Sequence, residues 1–258
     1  MNKPVILITN DDGIHAPGLR TLIRVMRQLG RVIVVAPDKP MSGMGHAVTI
    51  NSPLRVHKHH EDADYREYSC NGTPADCVKL GQKAILGQKP DLIVSGINHG
   101  SNSSVNVIYS GTMAAVIEGA LENVPSVGFS LNDYSYHADF SHCEPYIKSI
   151  AGNVLQKGLP DFTCLNVNIP AVNGSPVKGI RIVRQAKAFW NEKFEHRKDP
   201  HQRDYYWLTG EFVNYDSGED TDEWALQNNF VSVVPLHFDL TSHPTIPLLR
   251  DWETESLN

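Results

Sequence analysis

Short apolar runs alternate with amphipathic stretches through the first two thirds of the chain. The runs predict buried strands because they are near-continuously apolar, as in strands covered on both faces. They are VILIT (5–9), RVIVVA (31–36), DLIVSG (91–96), SVGFSL (126–131) and TCLNVNI (163–169). Helical spacing of apolar residues predicts helices between them, from Pro17 to a stop at Gly30 and over 74–86, 111–123 and 144–157. This alternation predicts an α/β fold, a mostly parallel sheet with helices on both faces.

The pattern changes near residue 178. KGIRIVRQA (178–186), YYWLTGEFV (205–213) and FVSVVPL (230–236) are predicted strands, separated by polar stretches, and shorter strands are expected within 47–70. We interpret residues 1–258 as one domain with a core over 1–177 and a β-rich extension over 178–258, which either covers the site or contacts a partner subunit. The aromatic residues of the extension are more typical of core or interface anchors than of base-stacking platforms; they are Trp190, Phe194, Trp207 and Trp224.

Composition narrows the class of protein. The 258 residues are 41% hydrophobic and 20% charged, with a net charge of -6, which argues against a nucleic-acid polymer as the main partner. No apolar run reaches the ~20 residues of a membrane span, and no signal peptide is visible, so we expect a cytoplasmic protein with no membrane association. The cysteines form no C-x-x-C pair and are expected to be reduced, partly buried thiols without metal; they are Cys70, Cys77, Cys143 and Cys164.

Polar, glycine-rich loops follow the predicted strands, and in an open α/β sheet ligands bind at that edge. Asp11 and Asp12 follow the first strand, the loop 41–45 follows the second, and 95–102 follows the third. Adjacent carboxylates repel each other unless a cation lies between them. Carboxylate, hydroxyl and amide oxygens suit a hard cation such as Mg²⁺, Mn²⁺ or Ca²⁺ better than Zn²⁺.

The helix predicted after the third loop begins at YSGT (109–112). Its free N–H groups and dipole would bind an anion, and a cation beside such a cradle is typical of phosphate chemistry. Each element also has a plainer interpretation: a strand-end turn with a cap, a flexible turn, or an N-cap. Because these elements all follow successive strands, their occurrence together favours a combined metal and phosphate site. His15, His46 and His99 lie in the same loops and are either site residues or surface histidines.

Other phosphate and hydrolase motifs are missing from the sequence. There is no P-loop and no G-x-S-x-G, and neither G-x-G-x-x-G nor D-x-D follows the first strand, which argues against the corresponding nucleotide-binding, hydrolase and aspartyl-phosphatase classes.

Six segments together resemble the SurE family of metal-dependent 5'(3')-nucleotidases. They are ILITNDDGIHAPGL, VAPDKPMSG, CNGTPADCVKLG, PDLIVSGINHGSN, VIYSGTMAAVIEGA and FVSVVPLHFDLT, in this order from residue 6 to about 241. The resemblance implies a Rossmann-like core and a C-terminal extension exchanged within a homodimer or homotetramer. It also implies hydrolysis of nucleoside 5'-monophosphates, with 3'-monophosphates and short polyphosphate as further substrates.

The resemblance also implies individual roles. One divalent ion per subunit, Mg²⁺ or Mn²⁺, would be held by Asp11, Asp12, Ser42 and Asn98. Phosphate would contact Asn98, Ser110, Gly111, Thr112 and Gly43. Asp11 and Asp12 are the implied catalytic residues, and we hypothesise that Asp11 positions or deprotonates the attacking water.

The sequence departs from the family at 103–106. Ser-Ser-Val-Asn replaces the usual Leu-Gly pair and acidic residues, which is expected to alter metal affinity or pH dependence while leaving the four ligands in place. Two alternative functions stay open at this point. One is a metal-dependent nucleotide-sugar transferase, and the other is a nucleotide-binding stress module without turnover.

Overall fold

The structure is a computed structural model that describes residues 3–135, 137–172 and 174–253. The two ends of the predicted domain, residues 1–2 and 254–258, lie outside the described residues.

The described residues of the first part of the chain form seven strands and five helices, with a π-helical turn at Gly81–Leu86 and a 3₁₀ turn at Ser141–Cys143. In chain order they are β1 (Val5–Thr9), α1 (Pro17–Met26), β2 (Arg31–Pro37), β3 (Val56–Glu61), β4 (Tyr65–Cys70), α2 (Pro74–Leu80), β5 (Leu92–His99), α3 (Asn106–Tyr109), α4 (Gly111–Leu121), β6 (Ser126–Asn132), α5 (Glu144–Lys157) and β7 (Thr163–Pro170). The remainder contains β8 (Gly179–Ile182), β9 (Ala188–Lys198), β10 (Asp204–Asn214), α6 (Asp222–Gln227), β11 (Phe230–His237) and α7 (Ile246–Leu249), followed by a 3₁₀ turn at Arg250–Trp252.

Nine strands form one sheet in the order β3-β4-β2-β1-β5-β6-β7-β11-β8. The six strands from β4 to β7 in this order are mutually parallel, whereas β3 and β11 pair antiparallel with their inner neighbours. The predicted α/β class and mostly parallel sheet are confirmed.

Helices cover both faces of the sheet because successive side chains of a strand point to opposite faces. In β1, Ile6 and Ile8 belong to the apolar cluster that includes α1 and α5, whereas Leu7 belongs to the cluster that includes α2 and α4. All three side chains are fully buried. The carboxyl end of β1 is therefore held between two layers of helices.

Helices α1 and α4 end earlier than the sequence suggests, at Met26 and Leu121, whereas the predicted helix over 74–86 is helical throughout, as α2 and then the π-helical turn. Helix α1 stops at Met26, and the chain turns so that Gly30 packs against the carbonyl of Pro4. Helix α2 stops at Leu80 and continues as the π-helical turn, where Gly81 lies directly against the Leu7 side chain. At the ends of α1 and α2 the tertiary contact, and not the apolar spacing, sets the boundary.

The described residues after 178 include two helices and one strand that the sequence did not predict, α6, α7 and β9. Strands β9 and β10 form a separate two-stranded antiparallel sheet over eleven paired positions, from Ala188 with Asn214 to Lys198 with Asp204. Strands β8 and β11 instead extend the main sheet, and β8 is shorter than expected.

Two further predictions concern the cysteines and membrane-spanning helices. All four cysteines are free and buried, as predicted for reduced thiols. Among the described helices, none has the length and apolar character required to cross a membrane.

Candidate functional site

The aspartate doublet lies where β1 ends and the chain turns. Asp11 is 4% exposed and Asp12 is partly exposed, so the two carboxyl groups have different surroundings. Gly13 makes the turn with φ +96°, a conformation that favours glycine, and Asn10 Nδ2 donates to the Gly13 carbonyl at 3.0 Å. The turn therefore fixes the direction in which the doublet leaves the sheet.

Asp11 faces the start of α4. Thr112 Oγ1 donates to Asp11 Oδ1 at 2.6 Å. A side chain at Gly111 would place its Cβ 2.8 Å from Asp11 Cβ and 3.1 Å from Pro74 Cγ, so the helix approaches this closely only because residue 111 is glycine. Ser110 is the N-cap of α4, and its Oγ accepts from the Met113 N–H at 3.1 Å.

Asp12 faces the end of β5. The His99 N–H donates to Asp12 Oδ2 at 3.4 Å, and His99 Nδ1 lies 3.6 Å from the same oxygen. The pairing of β5 with β6 shifts register between Ser95 and Asn98, which redirects the following residues. Asn98 Nδ2 donates to the carbonyls of His99 and Gly100 at 3.0 and 2.9 Å, which leaves its side-chain oxygen as an acceptor.

The loop after β2 is joined to the same place by its backbone. The Met41 N–H donates to the Asp11 carbonyl at 2.7 Å, and the Gly45 N–H donates to the Tyr109 carbonyl at 3.1 Å. Ser42 and Gly43, between these two anchors, are exposed. The structure therefore brings this loop beside the doublet and the residue that precedes Ser110.

The electrostatics of the doublet are those of an uncompensated pair. Burial, and then the nearby Asp12 carboxylate, raise the pKa of Asp11 from 3.8 to about 6, although hydrogen bonds from Thr112 act in the opposite direction. The amide oxygen of the preceding Asn10, Oδ1, is buried and has no hydrogen-bond partner among the described atoms. A divalent cation beside the two carboxylates would lower the pKa of Asp11, so the doublet fits such an ion.

Many metal sites in proteins are clusters of histidine, cysteine or carboxylate side chains, and the site at this edge of the sheet is of a different kind. In the part of the chain that the structure describes, no three His, Cys, Asp or Glu side chains are grouped so that they could hold a metal. An ion here would need the oxygens of serine and asparagine in addition to the two carboxylates, as magnesium and manganese sites use.

The candidate histidines are placed differently. His99 lies at the doublet, and its ring packs edge-on against Phe140 with centroids 4.8 Å apart. His15 is exposed and packs against the His59 ring at 6.2 Å. The structure thus brings His99, but not His15, into contact with the aspartates.

His46 has a partner that sequence reasoning missed. Its Nε2 lies 2.7 Å from Glu118 Oε1 on α4, and Lys79 Nζ donates to the other carboxylate oxygen at 2.5 Å. The Glu118 side chain is only 7% exposed. Burial alone would raise its pKa, but the bonds from His46 and Lys79 lower it overall. Glu118 therefore holds the loop that carries Ser42 against the helix that follows Ser110.

The segment that departs from the family pattern, 103–106, is a docking point for the later part of the chain. Ser104 N donates to Asp222 Oδ2 at 2.7 Å, and Ser103 Oγ donates to the Glu223 carboxylate. Asn106 Oδ1 accepts from the Trp190 indole at 2.7 Å. The acidic groups at this loop thus come from α6, over 100 residues away in sequence, and no local motif could have indicated them.

The chain is similar to several known proteins. A family model described as "Survival protein SurE" matches residues 6–192. The protein named 5'-nucleotidase SurE from Flavobacterium psychrophilum is 63% identical over 254 residues, covering 98% of this chain and 99% of that protein. The protein of the same name from Bacteroides fragilis is 46% identical over 252 residues, covering 97% of this chain and 98% of that protein. The crystal structure of the SurE protein from Aquifex aeolicus matches with a TM-score of 0.84 at 39% identity, over 97% of this chain and 100% of that one.

Proposed function

Because the chain belongs to the SurE family, we propose that it is a 5'-nucleotidase, a phosphoric monoester hydrolase that converts nucleoside 5'-monophosphates to nucleoside and phosphate. Nucleoside 3'-monophosphates and short polyphosphate are proposed as secondary substrates. The observation that carries the proposal is the meeting of the Asp11–Asp12 doublet with the N-terminus of α4, where Thr112 contacts Asp11 at 2.6 Å.

We propose that Asp11, Asp12, Ser42 and Asn98 hold one divalent cation, Mg²⁺ or Mn²⁺. The ion would supply positive charge beside the phosphoryl oxygens and lower the pKa of a water molecule. The contrast between the buried Asp11 and the more exposed Asp12 supports a site open on one side only, with Asp12 towards solvent.

The phosphate is proposed to bind at the start of α4. The Ser110 oxygen accepts from Met113, so its O–H is free to donate to a phosphate oxygen, and the first N–H groups of the helix, at Gly111 and Thr112, add to the positive end of the dipole. Asn98 and the backbone at Gly43, where no atom lies within 4 Å of a Cβ position, are the remaining proposed contacts.

In the proposed reaction, a water oxygen attacks phosphorus in line while the ester P–O bond breaks, and the nucleoside oxygen leaves and takes up a proton from solvent. Asp11 positions the attacking water and accepts its proton, and the α4 N-terminus stabilises the charge that develops on the phosphoryl oxygens. Thr112 and the backbone of Met41 hold Asp11 in place for this role.

The test is phosphate release from a panel of nucleoside monophosphates, with Mg²⁺ or Mn²⁺ and with EDTA. Release that requires metal and stops with chelator is expected. Asp12→Asn should abolish turnover while circular dichroism and the thermal midpoint stay near those of the wild type. A variant with more than about a tenth of wild-type kcat, a loss below ~1.4 kcal/mol, would contradict ligation by Asp12. Absence of release under all conditions would favour a binding module, and release only with an acceptor would favour a transferase.

We also propose that the chain forms a homodimer or homotetramer through the extension over 178–258. The end of the extension supports this, because Leu240, Leu248 and Trp252 are 95%, 75% and 77% exposed in the single chain. Light scattering of the full chain tests the proposal, and a monomer at micromolar concentration would contradict it.

A further inference from the structure

A cleft separates the β9–β10 hairpin from the loops of the proposed phosphate site. Its volume is about 540 Å³, and it is lined by Gly43 and Tyr109 on one side and by residues of the hairpin on the other. Small-molecule sites have volumes of roughly 300–1,000 Å³ and combine apolar walls with a few polar groups. The cleft is therefore large enough for an organic part of a substrate.

Two aromatic side chains form the walls of the cleft. Tyr109 is 53% exposed and Trp190 is 42% exposed, so both rings present accessible surface. The Trp190 ring is held in place, because its indole N–H donates to Asn106 at 2.7 Å and its ring packs on Phe212 with centroids 5.4 Å apart. A ring fixed in this way is a preorganised stacking surface, and every nucleobase has a flat π-face.

The hairpin leaves room beside Trp190. Glu192 follows on the same face of β9, and its partner across the hairpin is Gly210, which has no side chain. Leu208 adds an apolar surface further along. The Glu192 carboxylate repels phosphate at this end of the cleft and can accept hydrogen bonds from the N–H groups of a base.

The other end of the cleft reaches the proposed phosphate site. Tyr109 directly precedes Ser110, the N-cap of α4, and Gly43 follows Ser42. The Gly45 N–H to Tyr109 carbonyl bond at 3.1 Å holds these two loops together. A nucleotide with its phosphate at Ser110 would thus have its base directed towards the hairpin, because the acidic Glu192 lies there.

We propose that this cleft binds the nucleobase of the substrate by stacking against Tyr109 and Trp190. The inference rests on the proposed nucleotidase function and adds to it a base-binding site, to which β9 contributes. Trp190 would then determine specificity for the base. Asn106, one of the residues that differ from the family pattern, would serve to orient the Trp190 indole.

The experiment compares kcat/KM for adenosine and guanosine monophosphates with kcat/KM for ribose 5-phosphate, which lacks a base. Trp190→Ala should lower kcat/KM for the nucleotides roughly tenfold or more, mainly through KM, and leave ribose 5-phosphate within about twofold. Trp190→Phe should retain most of the wild-type value. Trp207→Ala is the matched control, because Trp207 is an exposed tryptophan that points to the opposite face of the same hairpin.

Each outcome has a distinct meaning. Equal losses for ribose 5-phosphate and the nucleotides in Trp190→Ala, or no loss for either, would overturn the base cleft while the wild-type activity preserves the proposed function. A wild-type protein that releases phosphate from none of these compounds would overturn the proposed function itself. An effect of Trp207→Ala equal to that of Trp190→Ala would also overturn the assignment.

Discussion

The end of β1 and the β9–β10 hairpin both contribute to the proposed site, but they are stabilised by different interactions. Strand β1 lies between two parallel neighbours, and all five of its residues are buried. The hairpin pairs over eleven positions, and most of its side chains are exposed. The sheet can therefore hold charged groups in fixed positions, whereas the hairpin can change with little effect on the fold.

The largest expected effect is on the free energy of unfolding, and it tests the contrast between β1 and the hairpin. Ile8→Ala removes a fully buried side chain in β1 and should lower the free energy of unfolding by about 2–5 kcal/mol. Phe194→Ala, at a hairpin side chain that is 70% exposed, should change it by no more than about 0.5 kcal/mol. Urea denaturation of both variants measures the difference. Similar losses would show that the hairpin is part of the cooperative core.

The same contrast explains what could be predicted from sequence. The strands of the main sheet are uninterrupted apolar runs because both of their faces are buried, so β1, β2, β5, β6 and β7 could be found without a structure. Strand β9 could not, because its sequence AFWNEKFEHRK is mixed and mostly exposed, and its backbone is paired with β10 rather than packed on a core. Helix α6 has only six residues, too few for a helical period to be recognised.

The residues of the candidate site also fall into two groups, those that the sequence could predict and those that it could not. Asp11, Asp12, Ser110 and Thr112 follow strands or begin a helix, so topology alone places them at one edge. The pairing of His46 with Glu118 joins residues 72 positions apart, and that of Ser104 with Asp222 joins residues 118 apart. Such contacts depend on how loops pack, and neither spacing nor composition encodes that packing.

The second prediction concerns the approach of α4 to the doublet. Gly111→Ala would bring a methyl group 2.8 Å from Asp11 Cβ and displace the helix start, so kcat should fall by about 10²-fold. Gly152→Ala is the control, since nothing lies within 4 Å of its Cβ position on α5, and it should keep full activity. Phosphate release under saturating metal and nucleotide measures both. Wild-type turnover by Gly111→Ala would show that the close approach is unnecessary.

The smallest expected effect concerns Glu118, which joins the Ser42 loop to α4. Glu118→Gln weakens the bonds from His46 and Lys79 and should cost about 1–2 kcal/mol of unfolding free energy at neutral pH, because Lys79 is 46% exposed and solvent screens part of the interaction. Thermal unfolding of the variant and wild type at several pH values measures the loss. Glu195→Gln is the matched control on the hairpin, where the partner Arg197 is 53% exposed, and it should leave the thermal midpoint unchanged.

The pKa of Glu118 determines how its contribution to the free energy of unfolding changes with pH. The pKa of Glu118 is lower in the folded chain than its ordinary value of 4.5, so the unfolded state binds the proton more tightly. The stabilisation is therefore complete above that value and is lost as the pH falls through the folded pKa. The difference between wild type and Glu118→Gln should shrink as the pH falls below about 5, where Glu118 takes up a proton. A difference that grows below that pH would contradict the charged pairing of Glu118, and equal losses in Glu118→Gln and Glu195→Gln would remove the contrast between buried loop anchor and exposed hairpin.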